Sequence, residues 1–255
     1  GCANACFSTK PIVHFEIQQI VNDYIQITKD STRIYVTESE TKGKVGGFAV
    51  SGRSPGKVEP AKFMDITKEN YFIGHQSGQK LTLGKYNSTL GYLSGYALND
   101  GESISFIGYQ SGYNTIGGDG NLFVGYKSGF TNESGNYNTF LGYESGYYNN
   151  SGLNNSFLGS FAGHNNVSGS YNTFVGDSAG YKNLNGNQNS FFGDKAGLNN
   201  VDGTNNIFIG NRAGYGNSGG DSCIFIGNQS GFGSNTGNSN IFIGNSSGFY
   251  NYTGQ

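Results

Sequence analysis

The residues of this chain that could act as acids, bases or metal ligands are few and scattered. There are three histidines, His14, His75 and His164. No HExxH, P-loop or GxSxG sequence accompanies them, so the usual contexts of a metalloprotease, a phosphate-binding loop and a serine hydrolase are missing. Cys2 and Cys6 are spaced like two metal ligands, but no second pair completes a site. The sequence therefore predicts no catalytic set, no cofactor and no metal site.

Two carboxylates occupy one position of an internal repeat. Asp177 and Asp194 are 17 residues apart, and stacked repeats would bring them to about 5 Å from each other. That separation resembles the carboxyl pair of a retaining glycosidase, and a weak cation site is the other alternative. Tyrosine and asparagine fill the same position in most other repeats, which favours an ordinary polar surface. We expect that the protein is not an enzyme.

The composition excludes several other function classes. Glycine provides 44 of the 255 residues, charged residues are 13%, and the net charge is −2. This balance gives no basic footprint for nucleic acid, and without an apolar run of about 18 residues we expect no membrane insertion. The aromatic content of 15% argues against a disordered or collagen-like chain. Cys2 and Cys6 remain open to pairing, lipidation or a free state.

A 17-residue repeat runs through most of the chain. "NTFLGYESGYYNNSGLN" (138–154) is followed directly by "NSFLGSFAGHNNVSGSY" (155–171). Glycines follow the first Phe of each copy by two, six and twelve residues, and these columns hold 33 of the 44 glycines. Thr89 replaces the Phe in one of eleven copies, and the others carry Phe72, Phe106, Phe123, Phe140, Phe157, Phe174, Phe191, Phe208, Phe225 and Phe242. A short fixed period predicts one small unit stacked on itself.

The period also predicts the fold class. Seventeen residues cannot hold two helices, and helical periodicity is missing. We predict an all-β protein, a parallel β-roll or β-solenoid of eleven coils over residues 71–255, with two short strands and two turns in each coil. The glycines would mark corners of the coil. One column would form a ladder of side-chain amides bonded along the stack, namely Asn121, Asn138, Asn155, Asn172, Asn189 and Asn206.

Two neighbouring positions of the repeat are both apolar. The core Phe is followed by Ile, Leu, Val or Phe in every copy. Because neighbouring side chains of a strand point to opposite faces, one of the two columns must face outward. Soluble monomers rarely expose such a stripe, so we predict a homotrimer in which copies of the chain cover it. A lone solenoid with both columns turned inward at a bend is the alternative. The Phe columns from Phe106 to Phe242 are the predicted core or interface.

Residues 1–70 have a different character. They hold 17 of the chain's 32 charged residues, and segments such as "DYIQITKD" and "GGFAVSGR" read as strands between polar turns. We predict a small β-rich cap or adaptor here, since the open end of a solenoid exposes unpaired edges.

The segments "FLGYESGY" (140–147), "FVGDSAGY" (174–181) and "FIGNRAG" (208–214) resemble the head repeat of YadA-like trimeric autotransporter adhesins. The similarity covers residues 71–255 and lies in the aliphatic residue, the glycine after it, and the Ala or Ser three residues further on. The coil here is longer, begins with Phe and has Asn-rich turns. The resemblance implies a trimeric, left-handed parallel β-roll at the cell surface.

We therefore expect an extracellular trimeric fibre or adhesin segment. Its partners would be other copies of the chain and a surface glycan or protein receptor. A ladder of stacked rings, Tyr92, Tyr109, Tyr126 and Tyr143, is the predicted binding surface, although such a ladder can also serve only to stabilise strand pairing. A receptor-binding tail fibre of a phage or a contractile injection system is the alternative function.

Overall fold

The computed structural model describes residues 24–27, 32–35, 47–52 and 61–252, with the exception of residue 235. The chain divides into two compact units, Gly1–Gly46 and Gly47–Gln255. In the first unit, β1 (Tyr24–Ile27) and β2 (Thr32–Tyr35) form an antiparallel pair. His14, Cys2 and Cys6 lie outside the described residues. Within the described ranges there is no helix long and apolar enough to cross a membrane.

The second unit is a single sheet of thirteen strands. It begins with β3 (Gly47–Gly52) and β4 (Ala61–Thr67), which are antiparallel, and β4 pairs antiparallel with the first strand of the repeat, β5 (Tyr71–Ile73). The predicted boundary at residue 70 therefore falls inside this unit, between two paired strands. The ten strands that follow are β6 (Ser88–Leu90), β7 (Ser105–Ile107), β8 (Leu122–Val124), β9 (Thr139–Leu141), β10 (Ser156–Leu158), β11 (Thr173–Val175), β12 (Ser190–Phe192), β13 (Ile207–Ile209), β14 (Ile224–Ile226) and β15 (Ile241–Ile243).

Strands β5 to β15 are parallel, and each pairs with the strand one repeat later. Phe157 lies opposite Phe174, and this register of 17 residues holds along the stack. The predicted parallel β-solenoid is confirmed. The prediction of two strands per coil is wrong, because each described coil has one strand of three residues.

Positive φ angles end each strand and keep the residues just after it out of extended geometry. In the coil that starts at Phe140, φ is +143° at Gly142, +50° at Glu144, +59° at Gly146 and +55° at Asn154. The left-handed region is incompatible with extended strand geometry. The remaining main-chain groups still bond between coils, as when Gly159 N–H donates to the Leu141 carbonyl at 2.8 Å.

The core of the solenoid is a column of stacked phenyl rings. Phe157 and its counterparts from Phe106 to Phe225 are buried, with ring centroids 4.7–4.8 Å apart, while Phe242 in the last coil is half-buried. Small side chains such as Ala162 and Ser145 lie buried in the same interior. The spacing of the rings matches the separation of neighbouring strands, about 4.8 Å, so each added coil adds one ring contact.

The predicted Asn ladder is buried, but its partners differ from those expected. Asn138 Oδ1 accepts from the Asn155 N–H at 2.9 Å, and Asn138 Nδ2 donates to the Gly152 carbonyl at 2.8 Å. The same pair of bonds recurs at Asn121, Asn155, Asn172 and Asn189. These amides therefore bond to the main chain of the next coil instead of to each other.

Amide-to-amide bonds occur in another column, which we call the inner amide column. Its members are Asn132, Asn149, Asn166, Asn183 and Asn200, and each Nδ2 donates to the preceding Oδ1 at 2.6–2.8 Å. Thr115 precedes this column and Asn200 ends it. Among the described residues, Thr115 Oγ1 and Asn200 Oδ1 are the two buried side-chain polar atoms without a hydrogen-bond partner.

Replacing Thr115 by Val is expected to leave stability unchanged or raise it by about 1 kcal/mol. The hydroxyl group pays for desolvation without gaining a bond, and Val has nearly the same shape. Thr89→Val is the matched control, because Thr89 is also buried but its Oγ1 lies 2.5 Å from Ser77 Oγ. It is expected to lose about 1 kcal/mol. Urea unfolding of both variants measures the difference, and equal losses would contradict the role assigned to the bond.

Candidate functional site

The residue that follows each core Phe faces away from the core. In β10, Phe157 is 1% exposed and Leu158 is 49% exposed. We call this outward column the aliphatic stripe, because ten of its eleven residues are aliphatic and one, Phe192, is aromatic. It consists of Ile73, Leu90, Ile107, Val124, Leu141, Leu158, Val175, Phe192, Ile209, Ile226 and Ile243. The stripe crosses every strand of the repeat, and the turned-inward alternative is therefore wrong.

The stripe is widest over the last three strands. In β13, β14 and β15 the residue before the Phe is also isoleucine, namely Ile207, Ile224 and Ile241. Most earlier strands carry Ser or Thr there. Each of these last strands thus shows two outward-facing isoleucines on either side of its core Phe.

The four predicted ladder tyrosines do stack. Ring centroids lie 5.3 Å apart for Tyr92 and Tyr109, 5.3 Å for Tyr109 and Tyr126, and 5.0 Å for Tyr126 and Tyr143. His75 continues the row on one side at 5.3 Å from Tyr92. Rings this close and nearly parallel must cover each other's faces. The ladder therefore offers mainly ring edges and hydroxyl groups to a partner.

The lysine Lys127 lies close to one ladder tyrosine and to a phenylalanine beside the ladder. Lys127 Nζ is 5.3 Å from the Tyr126 centroid and 5.4 Å from that of Phe130, which is cation–π geometry. Desolvation works against the ammonium group, but Tyr147 and Tyr126 outweigh it and the pKa of Lys127 is raised. Desolvation and the nearby Glu144 carboxylate raise the pKa of Tyr143. At neutral pH the lysine therefore stays charged and the phenol stays neutral.

A second ladder follows the position seven residues after the core Phe. Its rings, spaced 4.9–5.3 Å apart, are Tyr96, Tyr113, Phe130, Tyr147, His164 and Tyr181. His164 is 8% exposed, with Nε2 3.3 Å from Glu144 Oε2 and Nδ1 2.7 Å from Asn165 Oδ1. His164 therefore packs within the second ladder, whereas His75 belongs to the first, so the two histidines do not form one site.

The two repeat carboxylates have protein partners. Asp177 Oδ2 accepts from the Ser178 hydroxyl at 2.9 Å. Asp194 Oδ2 accepts from Asn211 Nδ2 at 2.9 Å, and its Oδ1 lies 3.2 Å from Lys195 Nζ. In the part of the chain that the structure describes, no three His, Cys, Asp or Glu side chains gather in a way that could hold a metal ion. Cys223 is buried, and this burial raises the pKa of its thiol.

A surface groove of about 380 Å³ lies beside the second ladder, and sequence reasoning missed it. Tyr148, Val167 and Leu184 provide its apolar lining. Its polar lining consists of Thr131, Glu133, Asn150 and Asn165. The one available signal was the doubled tyrosine of "GYYNN" (146–150), which places a ring where most repeats have a smaller or non-aromatic residue.

A similarly oriented tyrosine recurs six repeats later, in a groove that lacks the carboxylate and the threonine of the first. Tyr250 has the repeat position of Tyr148, and its ring stands at 75° to Phe249 with centroids 4.6 Å apart. Tyr250 and Tyr252 line a second groove of about 300 Å³, together with Gly216 and Gly233. In two places, therefore, a tyrosine whose ring is nearly perpendicular to the neighbouring ring of the repeat lines a groove.

No protein-family model matches the chain, and no curated protein or solved structure is significantly similar to it. The fold and the surfaces just described are therefore the basis for inferring function.

Proposed function

We propose that residues 71–255 form a segment of an extracellular, cell-surface trimeric fibre or adhesin. In this proposal the aliphatic stripe binds other copies of the chain. The remaining surfaces bind a glycan or protein receptor weakly and many times, and residues 1–70 serve as the cap or adaptor at the amino-terminal end. The observation that carries the proposal is the outward stripe from Ile73 to Ile243, present on all eleven strands.

A second copy of the chain is the partner that fits the stripe best. Its side chains repeat at the strand spacing, about 4.8 Å. An identical stripe repeats at the same interval, so two copies can interdigitate along their whole length. Isoleucine, leucine and valine give such a contact a large apolar area at a low cost in side-chain entropy. Closed homo-oligomers are the commonest assemblies of soluble proteins, and a three-fold axis lets each chain contact two others.

The composition supports the binding part of the proposal. The surface has little charge, since the net charge is −2 and charged residues make up 13% of the chain. This argues against nucleic acid, whose binding depends on many lysine and arginine contacts. A regular array multiplies each weak contact, and the overall avidity can exceed a single affinity by orders of magnitude.

Light scattering after gel filtration tests the assembly. The chain of 27.2 kDa is expected to elute with three times that mass. The double variant Leu158→Glu/Ile209→Glu places two charges on the stripe and is expected to elute at the mass of one chain, with an unchanged far-UV circular dichroism spectrum. Ile116→Glu is the control, because Ile116 is equally exposed but lies outside the stripe. A monomeric wild-type chain would refute the proposed trimer.

A further inference from the structure

The groove beside the second ladder presents one free aromatic face. The Tyr148 ring stands at 68° to Tyr147, with centroids 4.6 Å apart, and at 84° to His164, with centroids 5.3 Å apart. Tyr147 and His164 stack on each other at 5.3 Å, which leaves no room for another ring edge between them. Tyr148 must therefore lay one face against their edges. Its other face is open, and the residue is 47% exposed.

This orientation separates Tyr148 from the ladder tyrosines. The rings from Tyr92 to Tyr143 cover each other's faces. The Tyr148 ring instead lies nearly perpendicular to the rings of the second ladder and contacts two of them, Tyr147 and His164. His164 is itself fixed by Glu144 and Asn165. These contacts hold the open ring in place, so little conformational entropy is lost when a ligand stacks on it.

Polar groups with unused hydrogen-bonding capacity surround this ring. Among the hydrogen bonds of the described residues, none involves the Asn150 side-chain amide or the Glu133 carboxylate. Asn165 uses its Oδ1 for His164, which leaves its Nδ2 as a donor. Thr131 donates its hydroxyl proton to the Tyr147 carbonyl at 2.8 Å and can still accept a bond. The groove thus offers two amides, a carboxylate and a hydroxyl oxygen around an aromatic face.

We propose that this groove binds an uncharged saccharide, with one sugar ring stacked on Tyr148. The C–H face of a pyranose would cover the phenol ring and contact Val167 and Leu184. The hydroxyl groups at its rim would donate to Glu133 and bond to the Asn150 and Asn165 amides. Hydrogen bonds to a carboxylate are the stronger kind, and the single negative charge of Glu133 disfavours anionic sugars. This inference rests on the adhesive function proposed above, for which it names a ligand class and one site.

A peptide is a poorer match for the same groove. Recognition of an extended peptide by main-chain pairing requires free main-chain groups at a sheet edge. Here the Thr131, Tyr148 and Asn150 N–H groups already donate to Tyr147, His164 and Val167 of the next coil, at 2.9–3.0 Å. The volume, about 380 Å³, lies near the lower limit of small-molecule sites, which run from roughly 300 to 1,000 Å³. One or two sugar rings fill such a space.

Saturation-transfer difference NMR on the full 255-residue chain tests the site. The probes are neutral hexasaccharides of glucose, mannose, galactose and N-acetylglucosamine, with sialyllactose as an anionic sugar and a mixed hexapeptide pool as the peptide arm. At least one neutral hexasaccharide is expected to bind, with its ring C–H protons receiving the strongest transfer. Tyr148→Ala is expected to weaken that binding at least tenfold, and Glu133→Gln several-fold.

Two control variants make the result specific. Tyr148→Phe keeps the aromatic face and is expected to retain binding within about threefold, because stacking uses the ring and not its hydroxyl group. Tyr171→Ala removes a tyrosine that is more exposed than Tyr148 but does not line the groove, and binding should not change. Thermal unfolding within a few degrees of wild type shows that each variant is folded.

The inference is overturned if no neutral hexasaccharide binds, if binding survives Tyr148→Ala, or if only sialyllactose or the peptides bind. These outcomes are separable from the fate of the fibre proposal. A trimer that binds no sugar removes the site and leaves the trimer. A monomer whose sugar binding depends on Tyr148 keeps the site and removes the trimer.

Discussion

Gly159→Ala is expected to disrupt the repeat array and to cost more than about 3 kcal/mol of folding free energy. Gly159 has φ +141°, and a Cβ there would lie 2.4 Å from the Gly176 carbonyl oxygen and 2.7 Å from its carbon. Side chains rarely adopt this φ, and the strain is worth roughly 1–3 kcal/mol. The clash adds a similar amount, because the obstacle is main chain of the next coil. The Gly176 N–H donates to Leu158 at 2.9 Å, which keeps that coil close.

Gly219→Ala is the matched control for this substitution. An added Cβ at Gly219 would meet no atom within 4 Å, and its φ lies outside the left-handed region. The variant is expected to stay within about 0.5 kcal/mol of wild type, or to gain slightly by restricting the unfolded chain. Urea unfolding followed by far-UV circular dichroism measures both. If the two alanines cost the same, close coil contact at the corner glycine is not what holds the array together.

Phe191→Ala is expected to cost about 3–5 kcal/mol, the range for a large aromatic side chain removed from a core. Its ring lies 4.8 Å from Phe174 and 4.7 Å from Phe208, and none of it is exposed. The coil interior is narrow, and Gly197, which packs against the ring, has no side chain that could fill the space. Thermal and urea unfolding of the variant measure the loss.

The next residue supplies the control. Phe192 belongs to the same strand and is 39% exposed on the outer face. Phe192→Ala is expected to cost the folded chain under about 1 kcal/mol, because the half-exposed ring loses little burial. It should instead weaken self-association measured by light scattering. An equal loss of stability from both alanines would contradict the assignment of these neighbours to opposite faces.

Most of the architecture could be predicted from the sequence, because the period and the alternation of strand residues are local properties. A spacing of 17 residues allowed only one register, so Phe157 had to pair with Phe174. Two apolar neighbours on a strand had to face opposite ways, and the burial of Phe191 beside the exposed Phe192 shows it. The glycine columns marked corners for two reasons: Gly142 has a positive φ, and at Gly152 a Cβ would lie 2.4 Å from the Gly169 carbonyl oxygen of the next coil.

The tertiary structure decided what depends on distances between coils. Asn138 could have bonded to its repeat neighbours, but the Asn155 N–H and the Gly152 carbonyl lie closer, so its amide holds the main chain. The one strand of each coil ends in a corner whose positive φ angles fall on non-glycine residues such as Glu144 as well as on glycine. No propensity in the sequence shows that a lysine, a glutamate or a phenylalanine will adopt that conformation.

The groove also depended on the tertiary structure. The sequence shows that two tyrosines are adjacent at 147 and 148, and its period shows that Tyr147 belongs to a ladder. Only the packed coils show that the ladder has no room for Tyr148, which turns its face outward beside Glu133 and Asn150 from neighbouring positions of the stack. A repeat determines which column a side chain belongs to, but ring orientation follows from the space that the neighbouring coils leave.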